Sequence, residues 1–324
     1  MRFRGIPLAL ALAGSTLLAV PVLAQRPADE GFKNLKVLPK DISHDSLDVI
    51  MNGFTRALGV RCDHCHVRSN PTGPFKREDF PRDDKLTKEK AREMMKMVRD
   101  INGKYLAALE HRAEPPVGVE CVTCHRGTTL PRTLQSVLRT AYDTGGLDST
   151  RARYRALRDR YYGRSAYDFG EVSLADVGGT LARSGHPADA ESLHAWNVAM
   201  NPGSAYAKRQ WAATTVANGF RQGAAAGGQA IEIVRAKNGP EAMNEEALNA
   251  VAYTLLGTHE MAAAIAAFER NAKDHPQSAN AYDSLGEGYA EAGETKKARA
   301  AYEKSLKLDP ANENARTQLK ELKK

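Results

Sequence analysis

The sequence predicts a mainly α chain in which a loop-rich N-terminal region precedes an array of paired helices. Three observations lead there. Two early stretches carry apolar residues at helical spacing and are separated by proline and glycine. From about residue 166 the chain matches itself at an offset of 74 residues, and near the end Pro276 and Pro310 stand 34 residues apart.

The chain has 324 residues, 42% of them apolar and 26% charged, which suits two or three modest soluble domains. Residues 1–24 read as a cleavable export signal. Arg2 and Arg4 give a positive start, Ile6 to Val22 an apolar stretch, and Val22-Leu23-Ala24 a small-residue cleavage site before Gln25. The expected location is periplasmic, with any membrane association made through a partner. No other stretch reaches the roughly 18 apolar residues that a span requires. The formal charge is +7, but the Lys and Arg residues read as solvated helix surface. No basic run interleaved with aromatics is read, so nucleic acid is not an expected partner.

After a polar stretch to Gly31, residues 32–39 are expected to be extended. A first helix should begin at Ser43, a good N-cap, and stop at Gly59. Its apolar stripe is Leu47, Ile50, Met51, Phe54 and Leu58. A short second helix follows, and residues 67–86, with Pro71, Gly73, Pro74 and Pro81, read as loop. Thr87 is the expected cap of a long helix to about Leu109, with Ala91, Met94, Met95, Val98, Ile101 and Tyr105 on its apolar side. Pro115-Pro116 and Gly118 then break the chain. Residues 25–137 are expected to form one domain, 138–165 a helical linker and 166–324 the repeats.

All four cysteines fall in two copies of Cys-x-x-Cys-His: Cys62, Cys65 and His66, then Cys121, Cys124 and His125. This is the signature of c-type haem attachment. Two thiols form thioethers to the porphyrin, and the adjacent histidine supplies the proximal iron ligand. No cysteine is left for a disulfide. The expected cofactors are two c-type haems, and the first region becomes a loop-rich dihaem cytochrome domain.

The sixth ligand decides the chemistry: a thioether closes the iron for electron transfer, whereas an open position permits bond chemistry. Met51 lies 11 residues before Cys62 on the stripe of the preceding helix and is the candidate opposite His66. For His125 the candidates are Met94, ranked first, and then Met95 or Met97; on a helical wheel Met94 and Met95 flank the stripe centre, whereas Met97 lies toward its edge. His111 is the alternative distal ligand.

Lys33-Asn-Leu-Lys-Val-Leu-Pro39, Gly53-Phe-Thr-Arg-Ala-Leu-Gly59, the run from Met94 to Asn102 and Gly118 to Gly127 together resemble the cytochrome subunit of photosynthetic reaction centres. The resemblance covers about residues 32–130. It implies units built of a helix bearing an axial Met, a turn, and a helix ending in Cys-x-x-Cys-His. Carried over, it places Met51 opposite His66 and Met94 opposite His125. The chain departs from that family in having two motifs rather than four and in carrying Ala108 where the family has a distal histidine. It also has no lipid-anchoring cysteine.

In the second half, Leu174 matches Leu248, Leu181 Leu255, Ala190 Ala264, Asn197 Asn271, Pro202 Pro276, Gly219 Gly293 and Ala224 Ala298. The 34-residue spacing, with Tyr282, Leu285, Gly286, Tyr289, Gly293, Ala298 and Tyr302 between the prolines, resembles a tetratricopeptide repeat. Residues 245–276 resemble it less closely, and 170–240 read as degenerate copies. Each helix pair would cover its neighbour's apolar face, and 313–324 would form a polar cap.

Of the remaining residues, His64 and His44 read as exposed, Arg126 as a candidate partner of a propionate, and His186, His194, His259 and His275 as surface residues. Trp196 and Trp211 read as repeat packing. The leading functional reading is an electron carrier without enzymatic activity. Its partners would be redox proteins, soluble or membrane-bound, with a protein or peptide docked on the repeats. The alternatives are a dihaem peroxidase or reductase, and a repeat scaffold whose haems sense redox state.

Overall fold

The computed structural model describes residues 32–69 and 78–322. The expected signal segment, with residues 25–31, lies outside the described residues. The chain divides into two compact units: residues up to Arg56 with Val60–Cys121, and Ala57–Gly59 with Val122 onward.

In the first unit, α1 spans His44–Leu58. Ser43 caps it as expected, its hydroxyl accepting the Ser46 amide at 3.2 Å. Leu47, Ile50, Met51, Phe54 and Leu58 form a half-buried stripe. A single 3-10 turn, Cys62–His64, carries the first motif in place of the short α-helix expected there. A two-residue antiparallel ladder follows, β1 Val67–Arg68 on β2 Glu78–Asp79, with Val67 opposite Asp79.

α2 spans Leu86–Asp100 and passes into a π-helical turn, Ile101–Leu106. Thr87 is not its cap. The Thr87 hydroxyl instead donates to the His64 carbonyl at 2.6 Å, tying α2 to the first motif. Asn102 exchanges two hydrogen bonds with Val119, at 2.8 and 2.7 Å, and so positions the strand of chain leading to the second motif. Asp83 gathers Lys36 at 2.7 Å, Lys88 at 2.9 Å and Arg92 at 2.9 Å. These charge-assisted contacts, those of Arg92 first, hold its carboxyl well below the usual carboxylate range.

The second unit begins with helical packing where a linker was expected. α3, Cys121–His125, lies at the division between the units. α4 spans Leu134–Tyr161 and kinks at Gly145 and Gly146, where Gly146 takes a φ of +63°. Its Leu134, Val137, Leu138, Tyr154 and Leu157 are buried in one cluster with Phe169, Leu174, Val177, Leu181 and Leu193.

Helical hairpins follow: α5 Glu171–Arg183 with α6 Pro187–Met200, α7 Ala205–Arg221 with α8 Ala224–Asn238, α9 Glu245–Gly257 with α10 Met261–Asp274, and α11 Ala279–Glu291 with α12 Thr295–Leu308. α13, Glu313–Glu321, caps the array. α9, α10 and α11 begin 74 residues after α5, α6 and α7, so the offset in the sequence is a structural repeat. The register then slips, because α7 has 17 residues and α11 has 13. The identities Gly219/Gly293 and Ala224/Ala298 are therefore not equivalent positions: Gly219 lies inside α7, whereas Gly293 closes a turn at φ +74°.

The same bond recurs in three hairpins, each joining the second helix to the carbonyl that opens the first. Asn197 donates to the Glu171 carbonyl at 2.8 Å, Asn271 to Glu245 at 3.2 Å and Ser305 to Ala279 at 2.8 Å. All three side chains are fully buried. At Gly286, an added Cβ would lie 2.8 Å from the Tyr302 ring, which explains the small residue there. His194 corrects the expectation of a surface residue. It is 2% exposed, with Nδ1 2.7 Å from the Thr214 hydroxyl and Nε2 3.2 Å from the Ala175 carbonyl, and burial lowers its pKa.

Candidate haem-attachment sites

In the first motif the Cys62 carbonyl accepts the amides of Cys65 at 3.2 Å and His66 at 3.0 Å. The chain therefore wraps one turn, and the thiols three residues apart stand on one side of it. Cys62 is exposed and Cys65 half-buried; burial pushes the Cys65 thiol pKa up. The turn is braced from outside. Lys85 donates to the Asp63 carbonyl, Arg68 pairs with Asp63 at 2.8 Å, and Thr87 holds the His64 carbonyl. The His66 ring packs edge-on against Phe80, centroids 5.0 Å apart. Its Nδ1 is buried without a hydrogen-bond partner among the described residues. Burial and then the Lys88 charge lower the His66 pKa.

The second motif is a true helical turn, α3, with Cys121 half-buried and Cys124 exposed. His125 differs from His66. Its Nδ1 lies 2.9 Å from the Thr128 carbonyl. A carbonyl can only accept, so the proton is on Nδ1 and the Nε2 lone pair is free for a metal. Thr128 is buried, and its hydroxyl donates to the His125 carbonyl at 2.8 Å or reaches that of Leu130 at 3.0 Å. The Gly127 amide donates to the Ala57 carbonyl at 2.8 Å. Gly59, at φ +67°, has no room for a Cβ, which would meet the Gly127 carbonyl oxygen.

Of the axial candidates, Met51 lies half-buried on the stripe of α1. On α2, Met94 and Met97 share one face and are 41% and 44% exposed, whereas Met95 lies on the packed side with Ala91, Arg92 and Val98. The helical-wheel reading placed Met94 beside Met95 at the stripe centre. The packed stripe instead passes through Arg92 and Met95, because Arg92 is drawn inward by Asp83. His111 is exposed at a φ of +53°, and Arg126 is exposed at +47°.

Against known families, the description "Photosynthetic reaction centre cytochrome C subunit" matches residues 18–156, and "Tetratricopeptide repeat" matches 279–312. Residues 18–156 match the reaction-centre cytochrome family. Two of its members are similar to this chain. One, from Roseobacter denitrificans, is 31% identical over 114 residues, 35% of this chain and 28% of that protein. Another, from Thermochromatium tepidum, is 35% identical over 107 residues, 32% of this chain and 23% of that protein. The chain thus spans about a quarter of the length of these relatives. Among solved structures, MamA (residues 41 to the end) from Desulfovibrio magneticus RS-1 is 17% identical, covering 48% of this chain and 84% of its own, at a TM-score of 0.29. YrrB, titled a TPR protein with an unusual peptide-binding site, is 13% identical over 58% of this chain and 90% of its own, also at 0.29.

The matching family is one of cytochromes c, which implies haem, and the described residues around the two motifs fit that group. Among the described residues from 32 to 130, only Ala57, Arg92 and Thr128 are buried. Large apolar side chains stay open instead, including Val49, Met94, Met97, Tyr105, Leu109 and Val117. An ordinary segment of this length closes over its own aliphatic core. Here the amphipathic helices offer apolar faces to a flat apolar group beside paired thiols and an imidazole. Among the described residues, no group of three His, Cys, Asp or Glu side chains is placed to hold a bare metal ion. Sequence reasoning missed Thr128, which sets the His125 ring; the only signal was its position three residues beyond the motif.

Proposed function

We propose that this chain is a periplasmic electron carrier holding two c-type haems, one on Cys62 and Cys65 and one on Cys121 and Cys124. His66 and His125 supply the proximal nitrogens. Met51 and Met94 would supply the sulfur ligands. One observation carries the reading: two Cys-x-x-Cys-His motifs lie in the segment that matches the cytochrome family, within a stretch, residues 32–130, whose described residues bury Ala57 alone of their apolar side chains.

Bound haem would supply a one-electron couple between Fe(II) and Fe(III). The residues do the rest. The Thr128 carbonyl orients His125. Met51 and Met94 would hold bound iron by their sulfurs and keep small molecules from it. The hairpins offer docking for a protein or peptide partner. The test is the oxidised spectrum of the purified holoprotein. A wholly low-spin spectrum with a weak sulfur-to-iron band near its red end is expected. A high-spin fraction at either iron overturns the carrier reading in favour of an enzyme.

A further inference from the structure

Contrary to the expectation that the chain has no basic run interleaved with aromatics, residues 151–164 form one: Arg-Ala-Arg-Tyr-Arg-Ala-Leu-Arg-Asp-Arg-Tyr-Tyr-Gly-Arg. Its six arginines face a single acidic residue, Asp159. Four other arginines of the second unit are ion-paired: Arg221 with Glu260, Arg235 and Arg270 with Asp274, and Arg316 with Glu313. Among the described residues, none of the six in this run has such a pair. Arg153, Arg155, Arg160 and Arg164 are exposed.

The aromatics have a definite place. Arg158 lies over Tyr162 at 4.5 Å, Arg160 over Tyr161 at 5.1 Å, and Arg151 and Arg155 over Trp196 at 6.0 and 5.9 Å. A guanidinium resting over a ring can still present N–H groups to a phosphate, though Arg151 also donates to the Ser192 carbonyl at 3.4 Å. Tyr154 and Leu157 turn into the core, while Ala152, Ala156 and Asp159 ride the outward crest of the helix. At about 100° per residue, Arg153 and Arg160 then flank one side of that crest and Arg151, Arg155 and Arg158 the other. Two rows of cations on an open helix suit a broad anionic plane better than a single bound molecule. Two clefts of the unit lie on other helices, one by Glu245, Asn249 and His275 and one by Gln229, Glu232 and Arg270. Tyr162, 64% exposed at the end of the run, has the phenolic tip and apolar ring that settle at headgroup depth.

We propose that the arginine-lined outer face of α4 docks this protein on an anionic phospholipid surface. Each arginine near such a surface is worth about a fivefold gain in affinity, screened by salt.

The test is co-sedimentation of the haem-loaded full chain with vesicles of phosphatidylcholine carrying phosphatidylglycerol, against phosphatidylcholine alone. Binding is expected only to the anionic vesicles and should weaken with added salt. The variant Arg153→Ala/Arg155→Ala/Arg160→Ala/Arg164→Ala should lose on the order of a hundredfold or more, with the helical circular dichroism melt unchanged. The four Arg→Lys replacements should keep most of the binding. Equal binding to both vesicles, or undiminished binding by the alanine variant, overturns the proposal. So does equal binding to poly-glutamate, which would mark an acidic protein surface, or to a short DNA duplex.

Discussion

His125 donates its Nδ1 proton to the carbonyl of Thr128, 2.9 Å away and three residues later in the chain. Two bonds from one short loop thus fix the ring, since the Thr128 hydroxyl also returns to the His125 carbonyl. His66 has no such acceptor at Nδ1 among the described residues. An imidazole whose distal N–H is hydrogen-bonded is a stronger donor and favours Fe(III).

With haem on both motifs, as proposed, the two sites should therefore titrate as separate steps, with the His125 site at the lower potential. Thr128→Val removes the hydroxyl that shapes this loop while preserving its volume. In a spectroelectrochemical titration its low step should move upward, and a tenfold change in the couple is about 59 mV for one electron. The other step should stay in place. A variant that moves both steps equally would assign Thr128 a general structural role.

Substituting the axial sulfurs separates the two sites. Met51→Ala should abolish about half of the red-end sulfur-to-iron absorbance and leave that iron high-spin or water-ligated. Met94→Ala should do the same to the other half. Met97→Ala, on the same exposed face of α2, is the control and should keep the band. Loss of the band in Met97→Ala with retention in Met94→Ala would reassign the second ligand.

Much of this was readable in the chain, for identifiable reasons. The stripe Leu47, Ile50, Met51 and Phe54 and the stop at Gly59 are local signals, and they set α1. The 74-residue offset is a copy of geometry, down to Asn197 and Asn271 making the same bond. What failed depended on distant partners. Six arginines and a Gly-Gly kink hid the buried Thr150, Tyr154 and Leu157, so α4 read as a linker. His194 read as exposed because the groups that bury it, Ala175 and Thr214, come from α5 and α7. Arg92 lies in the packed stripe of α2 only because Asp83, nine residues earlier, neutralises it.

The repeated buried bond should matter for the stability of the hairpins. Asn271→Ala should cost about 1–2 kcal/mol, since a fully buried donor and its contact with the Glu245 carbonyl are lost. Asn197→Ala should cost about as much, and Ser305→Ala somewhat less. Urea midpoints followed by far-ultraviolet circular dichroism would measure this, while the Soret band should not change. Midpoints equal to wild type would show that the bond is incidental.

Asp83 predicts an acid dependence. Its folded pKa is depressed, so its contribution is complete above the unfolded carboxylate value of about 3.9 and is lost as pH falls through the folded value. Asp83→Asn should lower stability near neutral pH and flatten its decline below about pH 4. Thermal melts followed in the Soret region at several pH values would read both effects. Parallel declines in wild type and variant would remove Asp83 from the explanation.

The central claim is that both motifs carry a covalently attached macrocycle. The most direct test is a pyridine haemochrome assay on protein made with the cytochrome c maturation machinery, denatured and washed with acidic acetone, with haem counted against chain mass. Two haems per chain are predicted, falling to one in either Cys62→Ser/Cys65→Ser or Cys121→Ser/Cys124→Ser. A wild-type chain retaining fewer than two would contradict the account.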